Sequence, residues 1–288
     1  MAKDTFFCPK ETLNFRGKIK HLSVPLVMGI MNLTPDSFYD GGRYRNPMDA
    51  IRLAEQMLRE GADILDMGAA STRPGTTLVD TSEEQERLLP ALKAVRQQFP
   101  KAIISIDTYN AETARMALDH GAHMINDVSA GRFDKEMFST IAEYRVPYVI
   151  MHMQGTPENM QQNPGYRHLI KDIAAFLSER LMLLRHMGVN DIIIDPGFGF
   201  GKTVADNYRL MSGLGYLSIF GIPIMVGVSR KSMINKVLET TPSDALNGST
   251  VLHTVALEKG AHILRVHDVK EAVEAIKIVT QLKSNTEK

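Results

Sequence analysis

Eight short apolar runs along this chain each end in a polar residue able to do chemistry. In order these are Asn32, Asp66, Asp107, Asn126 with Asp127, His152, Asp195, the triplet Ser229-Arg230-Lys231 and the triplet Arg265-Val266-His267. At any one strand end a polar residue is about as often a cap or turn former as a functional group. Eight in succession are poorly explained that way and point to side chains gathered at one site. The carboxylates Asp66, Asp107 and Asp195 could hold a metal cluster, act as acid and base, or recognise a heterocycle rich in N–H donors. A metal cluster would want more His or Glu, and the helical segments carry no His-x-x-x-His. A glycosidic acid/base pair predicts several Trp for sugar stacking, and the chain has none. A 2-amino-4-oxo-pyrimidine edge offers adjacent N–H donors that one carboxylate accepts in bidentate fashion, and Asn126 can add mixed contacts to the same ring. Arg73, Lys231, Arg265 and His267 supply positive charge suited to a phosphate. A flat, donor-rich ring carrying a phosphate or pyrophosphate fits this set best.

One motif imitates a nucleotide loop. Residues 192–203 read Ile-Ile-Ile-Asp-Pro-Gly-Phe-Gly-Phe-Gly-Lys-Thr. A Walker A loop needs Gly five positions before its Gly-Lys-Thr, where this chain has Pro196; a dinucleotide fingerprint needs Gly at 197, 199 and 202, and 202 is Lys. What remains is Asp195 at a strand end and a glycine turn that presents Phe198 and Phe200, the latter able to cover an aromatic ligand.

The elements that must position these groups alternate regularly. Apolar runs at 26–31, 63–67, 102–106, 122–126, 147–151, 191–194, 222–228 and 262–266 are apolar throughout rather than alternating, as strands of a buried parallel sheet are. Between them lie amphipathic segments, one from Asn46-Pro47 to Gly61 and others near 82–98, 110–120, 135–144, 167–187, 205–218, 243–259 and 269–283. Eight β-then-α units predict an α/β fold, a (β/α)8 TIM barrel, in preference to a doubly wound open sheet. A weak repeat agrees: Gly61-Ala62-Asp63, Gly121-Ala122-His123 and Gly260-Ala261-His262 each end a helix and open a strand. The expected organisation is a single domain, 1–288, with an N-terminal arm to about residue 24 and the barrel from about 25 to 283. Residues 5–24 are expected to form a hairpin closing the amino end, and the tail 283–288 to fray.

Thirty-three basic residues balance thirty-three acidic ones, so no net field favours nucleic acid or an anionic membrane. The single cysteine, Cys8, excludes an intrachain disulfide and reads as incidental rather than nucleophilic. The N-terminus has no apolar core of a secretory signal, and no stretch nears the ~18 apolar residues of a membrane span. A soluble, cytoplasmic protein is expected. His152 is read either as a site residue or as packing beneath the ligand, and the seventeen methionines as core filler.

Several motifs together resemble the dihydropteroate synthase family of pterin-binding TIM barrels. They are Met31-Asn32-Leu33-Thr34-Pro35-Asp36-Ser37-Phe38, Ser71-Thr72-Arg73-Pro74-Gly75, Ile104-Ser105-Ile106-Asp107-Thr108, Ile125-Asn126-Asp127-Val128, Met151-His152-Met153-Gln154-Gly155, Asp195-Pro196-Gly197-Phe198-Gly199-Phe200-Gly201-Lys202, Ser229-Arg230-Lys231-Ser232 and Arg265-Val266-His267-Asp268. One departure stands out: Gly68-Ala69-Ala70 replaces the family's usual Gly-Gly-Glu, removing a carboxylate next to the second loop.

The resemblance implies condensation of (7,8-dihydropterin-6-yl)methyl diphosphate with 4-aminobenzoate in folate biosynthesis. It assigns catalysis to Asp107, Lys231 and Arg73, and the pterin diphosphate to Thr72, Asp107, Asn126, Asp195, Lys231, Arg265, Val266 and His267. The aminobenzoate falls to Thr72, Pro74, Phe200, Lys231 and Ser232, and Mg²⁺ to Asn32. It further implies a homodimer through the last helices and sulfonamides as competitors of aminobenzoate. Separately, the Gly41-Gly42 and Pro74-Gly75 hinges in loops 32–45 and 69–81 lead us to expect that these loops order over the diphosphate, giving ordered addition with the diphosphate substrate first. The alternatives are a pterin-dependent methyltransferase, which has no use for Ser-Thr-Arg-Pro-Gly or Ser-Arg-Lys-Ser, and a non-catalytic pterin-binding homologue, which would lack Asn32, Thr72, Arg73 or Lys231.

Overall fold

Strand residues buried on both faces need two covering layers, and the structure supplies them as a ring of helices outside and interlocking side chains inside. A computed structural model of the chain describes residues 10–33, 47–70, 75 and 79–286. A two-stranded antiparallel hairpin, β1 (Thr12–Phe15) and β2 (Lys18–His21), comes first. The barrel strands are β3 (Leu26–Asn32), β4 (Ile64–Gly68), β5 (Ile103–Asp107), β6 (Met124–Asp127), β7 (Tyr148–Met151), β8 (Ile192–Asp195), β9 (Met225–Val226) and β10 (Ile263–Val266). They pair in parallel in the order β8-β7-β6-β5-β4-β3-β10-β9, and a parallel bridge from Ile194 to Ile224 links the two ends of that series. The outer helices are α1 (Pro47–Glu60), α2 (Thr81–Gln98), α3 (Ala111–Asp119), α4 (Met137–Tyr144), α5 (Leu169–His186), α6 (Val204–Ser212), α7 (Ser232–Leu238), α8 (Leu246–Glu258) and α9 (Val269–Thr286). The repeat glycines Gly61, Gly121 and Gly260 end α1, α3 and α8 with φ of 102°, 94° and 92°, a left-handed turn that glycine makes without strain.

The amino end is plugged. Leu13 and Phe15 of the hairpin, both fully buried, pack with Leu22 against one inward residue from each of several strands: Met28, Ile64, Ile103, Met124, Val149, Ile193, Met225 and Ile263. Arg16 in the hairpin turn donates to Leu118 O at 2.7 Å and Ala122 O at 3.2 Å, placing a cation at the carboxyl end of α3. With one end sealed, a ligand reaches the barrel interior from the carboxyl ends of the strands.

Four details differ from the sequence reading. The run 222–228 is a strand only at Met225–Val226, because Pro223 has no N–H to give a ladder; its carbonyl instead accepts from Ile194 N at 2.9 Å. The segment 205–218 is α6 followed by a 3-10 helix, Leu214–Phe220; they part at Gly213, where a Cβ would lie 2.9 Å from Ile170 Cδ1. Helix α7 had no counterpart among the expected segments. The tail does not fray at 283: α9 continues to Thr286, and Lys283 Nζ holds Leu257 O at 2.7 Å. Of the expected hairpin, residues 5–9 lie outside the described residues.

Candidate active site

Strand register brings the polar residues to one rim. Asp107 stands opposite both Asn126 on β6 and Gly68 on β4, and Asp195 stands opposite Met151. Asp66, Asp107, Asn126 and Asp195 are all buried. Arg265, on β10 between β3 and β9, ties two of these positions together directly. Its Nε donates to Asp66 Oδ2 at 2.7 Å and its Nη2 to Asp107 Oδ2 at 2.6 Å. The same Asp66 oxygen accepts from Asn126 Nδ2 at 3.0 Å, while Asp66 Oδ1 has no partner among the described residues. The amide of Asn126 is thereby oriented, and its Oδ1 is the acceptor it can offer a ligand.

Burial dominates the electrostatics. It pushes Asp107 up to about 7 against the opposing pull of Arg265, with Asp66, Glu84 and Asp127 adding to the rise. Asp195 is likewise raised by burial, although Lys231, the Gly197 N–H, Arg265 and Lys202 all favour its charge. Burial lowers Lys231 to about 8, with Asp195 opposing. Asp66 and Asp107 outweigh burial at Arg265 and hold its guanidinium charged. The rim therefore combines one carboxyl poised near neutrality, Asp107, with a permanent cation.

The glycine loop is built from its carbonyls. Gly197 O accepts from Lys202 Nζ at 2.8 Å, Phe198 O from Lys231 Nζ at 2.5 Å, and Gly199 O from Gln161 Nε2 at 2.7 Å. Phe200 O accepts from Lys202 Nζ at 3.1 Å and Gly201 O from the Tyr166 hydroxyl at 2.6 Å. Asp195 Oδ1 and Asn207 Oδ1 take the N–H groups of Gly197 and Gly199, each at 2.7 Å. Lys202, the lysine that mimics a Walker A residue, is 3% exposed and points into this cage rather than at solvent; burial lowers it to about 7. Gly197 is obligatory, since a Cβ would meet His152 O at 1.9 Å.

The structure settles several single residues. His152 packs edge-on to Phe176, 5.2 Å between ring centroids, with Nδ1 3.0 Å from Lys202 Nζ, so it braces β7 against α5. Burial, with Lys202 and Arg132 nearby, keeps its ring neutral down to about 3. Asp127 accepts from Ser129 N, Gly131 N and the Tyr148 hydroxyl and is a structural carboxyl. Lys231 Nζ lies 4.7 Å from the ring centroid of half-buried Phe200, and exposed Ser232 follows Lys231 as the first residue of α7. Val266 is fully buried in the main hydrophobic core between Arg265 and His267. His267 N and Nδ1 lie 3.2 and 3.1 Å from Ser229 Oγ. Thr72, Arg73 and Pro74 lie outside the described residues. Asp66, singled out by the sequence only as one of three strand-end carboxylates, and Lys202, given no role there, organise the rim; their buried charges become visible only when their partners are known.

Asn32 ends β3, half-buried, level with Gly68. Among the described residues no group of three or more His, Cys, Asp or Glu could hold a metal ion. One neutral amide oxygen does not make a metal cage, but it suits an ion that arrives on phosphate oxygens and keeps its waters, as Mg²⁺ does.

Comparison with known proteins agrees with this geometry. Residues 28–267 match the family model described as pterin binding enzyme. The chain is 41% identical over 266 residues to the dihydropteroate synthase of Escherichia coli (strain K12), covering 92% of this chain and 94% of that one. It superposes with a TM-score of 0.91 on a Yersinia pestis dihydropteroate synthase in a sulfonamide drug complex, at 41% identity over 95% of this chain and 99% of that one. A Xanthomonas albilineans dihydropteroate synthase in complex with 7,8-dihydropteroate gives a TM-score of 0.84 at 36% identity, covering 94% of this chain and 98% of that one. A barrel rim of this composition, matched along nearly its whole length, places the chain in the dihydropteroate synthase family of pterin-binding enzymes.

Proposed function

We propose that the chain condenses (7,8-dihydropterin-6-yl)methyl diphosphate with 4-aminobenzoate to give 7,8-dihydropteroate and diphosphate. The observation that carries this is one rim on which Asp107, Asn126 and Asp195 face the same space as Lys231 and Arg265. The three acceptors grip the N–H edge of the pterin, and Lys231 leaves Phe198 O to meet the ring's acceptor side. Arg265 and His267 take the diphosphate, and Mg²⁺, when bound near Asn32, adds charge neutralisation to the leaving group. The C–O bond breaks with its electron pair going to diphosphate, and the Asp107 carboxylate stabilises the resulting methylene cation. The arylamine nitrogen then forms the C–N bond and releases a proton to water. An arylamine is already neutral at pH 7, so no strong base is required. Phe200, Ser232 and Lys231, with Thr72, Arg73 and Pro74, complete the aminobenzoate side.

Sulfonamides, which resemble aminobenzoate, compete for that side; the Yersinia pestis relative carries one. Exposed Val237, Leu238, Val251, Ile278 and Leu282 on α7, α8 and α9 support a homodimer through these helices. A single catalytic domain acting in the cytoplasm completes the reading, in keeping with one cysteine. The test is pyrophosphate release, which should need both substrates and Mg²⁺. Lys231→Ala should abolish it while the variant still folds to the wild-type circular dichroism spectrum. Release from the pterin diphosphate alone, or an active Lys231→Ala enzyme, would refute the assignment. Calorimetry should show aminobenzoate binding only once diphosphate substrate or pyrophosphate is present.

A further inference from the structure

Arg230 and Asp268 belong to the two motifs that carry Lys231 and His267, yet the reaction above uses neither. Their side chains form a bidentate pair: Arg230 Nε donates to Asp268 Oδ2 at 2.8 Å and Nη2 to Oδ1 at 2.5 Å. The two side chains are only 16% and 15% exposed, so water and salt screen them weakly. The remaining face of the guanidinium is also taken, since Nη1 donates to Pro242 O at 3.2 Å and Ser243 O at 3.3 Å. Arg230 itself sits at φ 56°, a left-handed conformation that a long side chain adopts only when its surroundings impose it. Its N–H is fixed to Ser249 Oγ at 2.9 Å, and that hydroxyl is fixed in turn to Ala245 O at 2.8 Å. A second tie runs alongside: Ser229 Oγ accepts the N–H of His267 at 3.2 Å. Two adjacent residues after β9 are thus cross-linked to two adjacent residues after β10. In (β/α)8 barrels these two loops commonly build the phosphate site.

We propose that Arg230 and Asp268 are positioning residues that lock the loops after β9 and β10 together, so that Lys231, Arg265 and His267 converge on the diphosphate, and that Arg230 does not touch the ligand. The proposal rests on the functional reading above. At least four of the guanidinium's five N–H groups already have acceptors, and its charge is matched by Asp268. A phosphate could recruit Arg230 only by breaking the brace. Removing either partner leaves the other charge half-sealed beside the anion site and frees the left-handed turn that aims Lys231.

The test begins with inorganic pyrophosphate binding to the wild-type enzyme by calorimetry, which needs only the anion site, followed by steady-state kinetics with both substrates. Arg230→Met and Asp268→Asn should each weaken pyrophosphate binding and raise KM for the pterin diphosphate, by roughly 10- to 100-fold, the scale of a misplacement near 1 Å. The KM for 4-aminobenzoate should change little. Arg230→Met/Asp268→Leu should bind pyrophosphate more tightly than Arg230→Met alone, because it leaves no orphaned carboxylate. Arg230→Lys, which keeps the charge but loses the fork, serves if the methionine variant does not fold. Wild-type pyrophosphate affinity in Asp268→Asn together with loss in Arg230→Met would overturn the proposal, since Arg230 would then be a direct ligand. Altered unfolding midpoints with unchanged kinetics in both variants would overturn it as well. A wild-type enzyme that binds pyrophosphate but does not turn over the two substrates would instead count against the functional reading.

Discussion

Replacing Arg265 by Met removes the cation that Asp66 and Asp107 share at 2.7 and 2.6 Å. With charge centres ~4 Å apart, each pair corresponds to about 4 kcal/mol at an effective dielectric constant near 20. A buried carboxyl that loses this partner holds its proton to higher pH. In the wild type Asp107 already stands at about 7, against about 3.9 in an unfolded chain. Between those values the folded protein carries a proton that the unfolded chain has lost. Stability therefore falls as pH rises, by about 1.4 kcal/mol per unit from this group. In the wild type that fall ends near pH 7; in Arg265→Met it continues, because Asp107 stays protonated. Below pH 7 the variant should trail the wild type by a constant offset of about 3–5 kcal/mol, the usual cost of an orphaned buried partner, here Asp66. Between pH 7 and 9 the gap should widen by a further roughly 3 kcal/mol. Urea unfolding of both proteins at pH 6, 7, 8 and 9 measures it. A gap that stays flat across that range would mean the Asp107 proton does not respond to Arg265, and the electrostatic account of the rim would fail.

Lys202→Met should lose about 3 kcal/mol by stranding Gly197 O and Phe200 O, and should raise KM for aminobenzoate through Phe200 while pyrophosphate affinity holds; unchanged stability in urea would refute the cage. Gly197→Ala forces a Cβ to 1.9 Å from His152 O at φ 74°, so a loss above about 4 kcal/mol or outright failure to fold is expected, read by circular dichroism on heating. His253 is buried, its Nε2 lacks a partner among the described residues, and burial lowers it to about 4. The unfolded chain protonates this ring as pH falls below about 6.5, whereas the folded one resists until about 4, so stability is lost on the acid side. His253→Leu should remove about 1.4 kcal/mol per pH unit from that loss, visible as a shallower fall in urea midpoint between pH 6.5 and 4.

The barrel was legible in the sequence because burial on both faces forces continuous apolar strands, and glycine at 61, 121 and 260 marks where helices must turn back. The rim was legible for the same reason: in a parallel barrel all strands point one way, so residues that end successive strands meet. Position 196 alone excluded a Walker A loop, since a proline cannot take the first glycine's place. The tertiary structure decided which charges touch. Arg265 meets Asp66 and Asp107 from 199 and 158 residues away, a pairing set by how the strand series curls around, which no local pattern encodes. It also decided that Lys202 faces inward to backbone carbonyls, that Asp66 rather than solvent orients Asn126, and that Arg230 is matched by Asp268. Local spacing and hydrophobicity act over a few residues and fix where side chains emerge along an element. A buried ion pair depends on desolvation and on the distance between groups far apart in the chain, and both exist only once the barrel has formed.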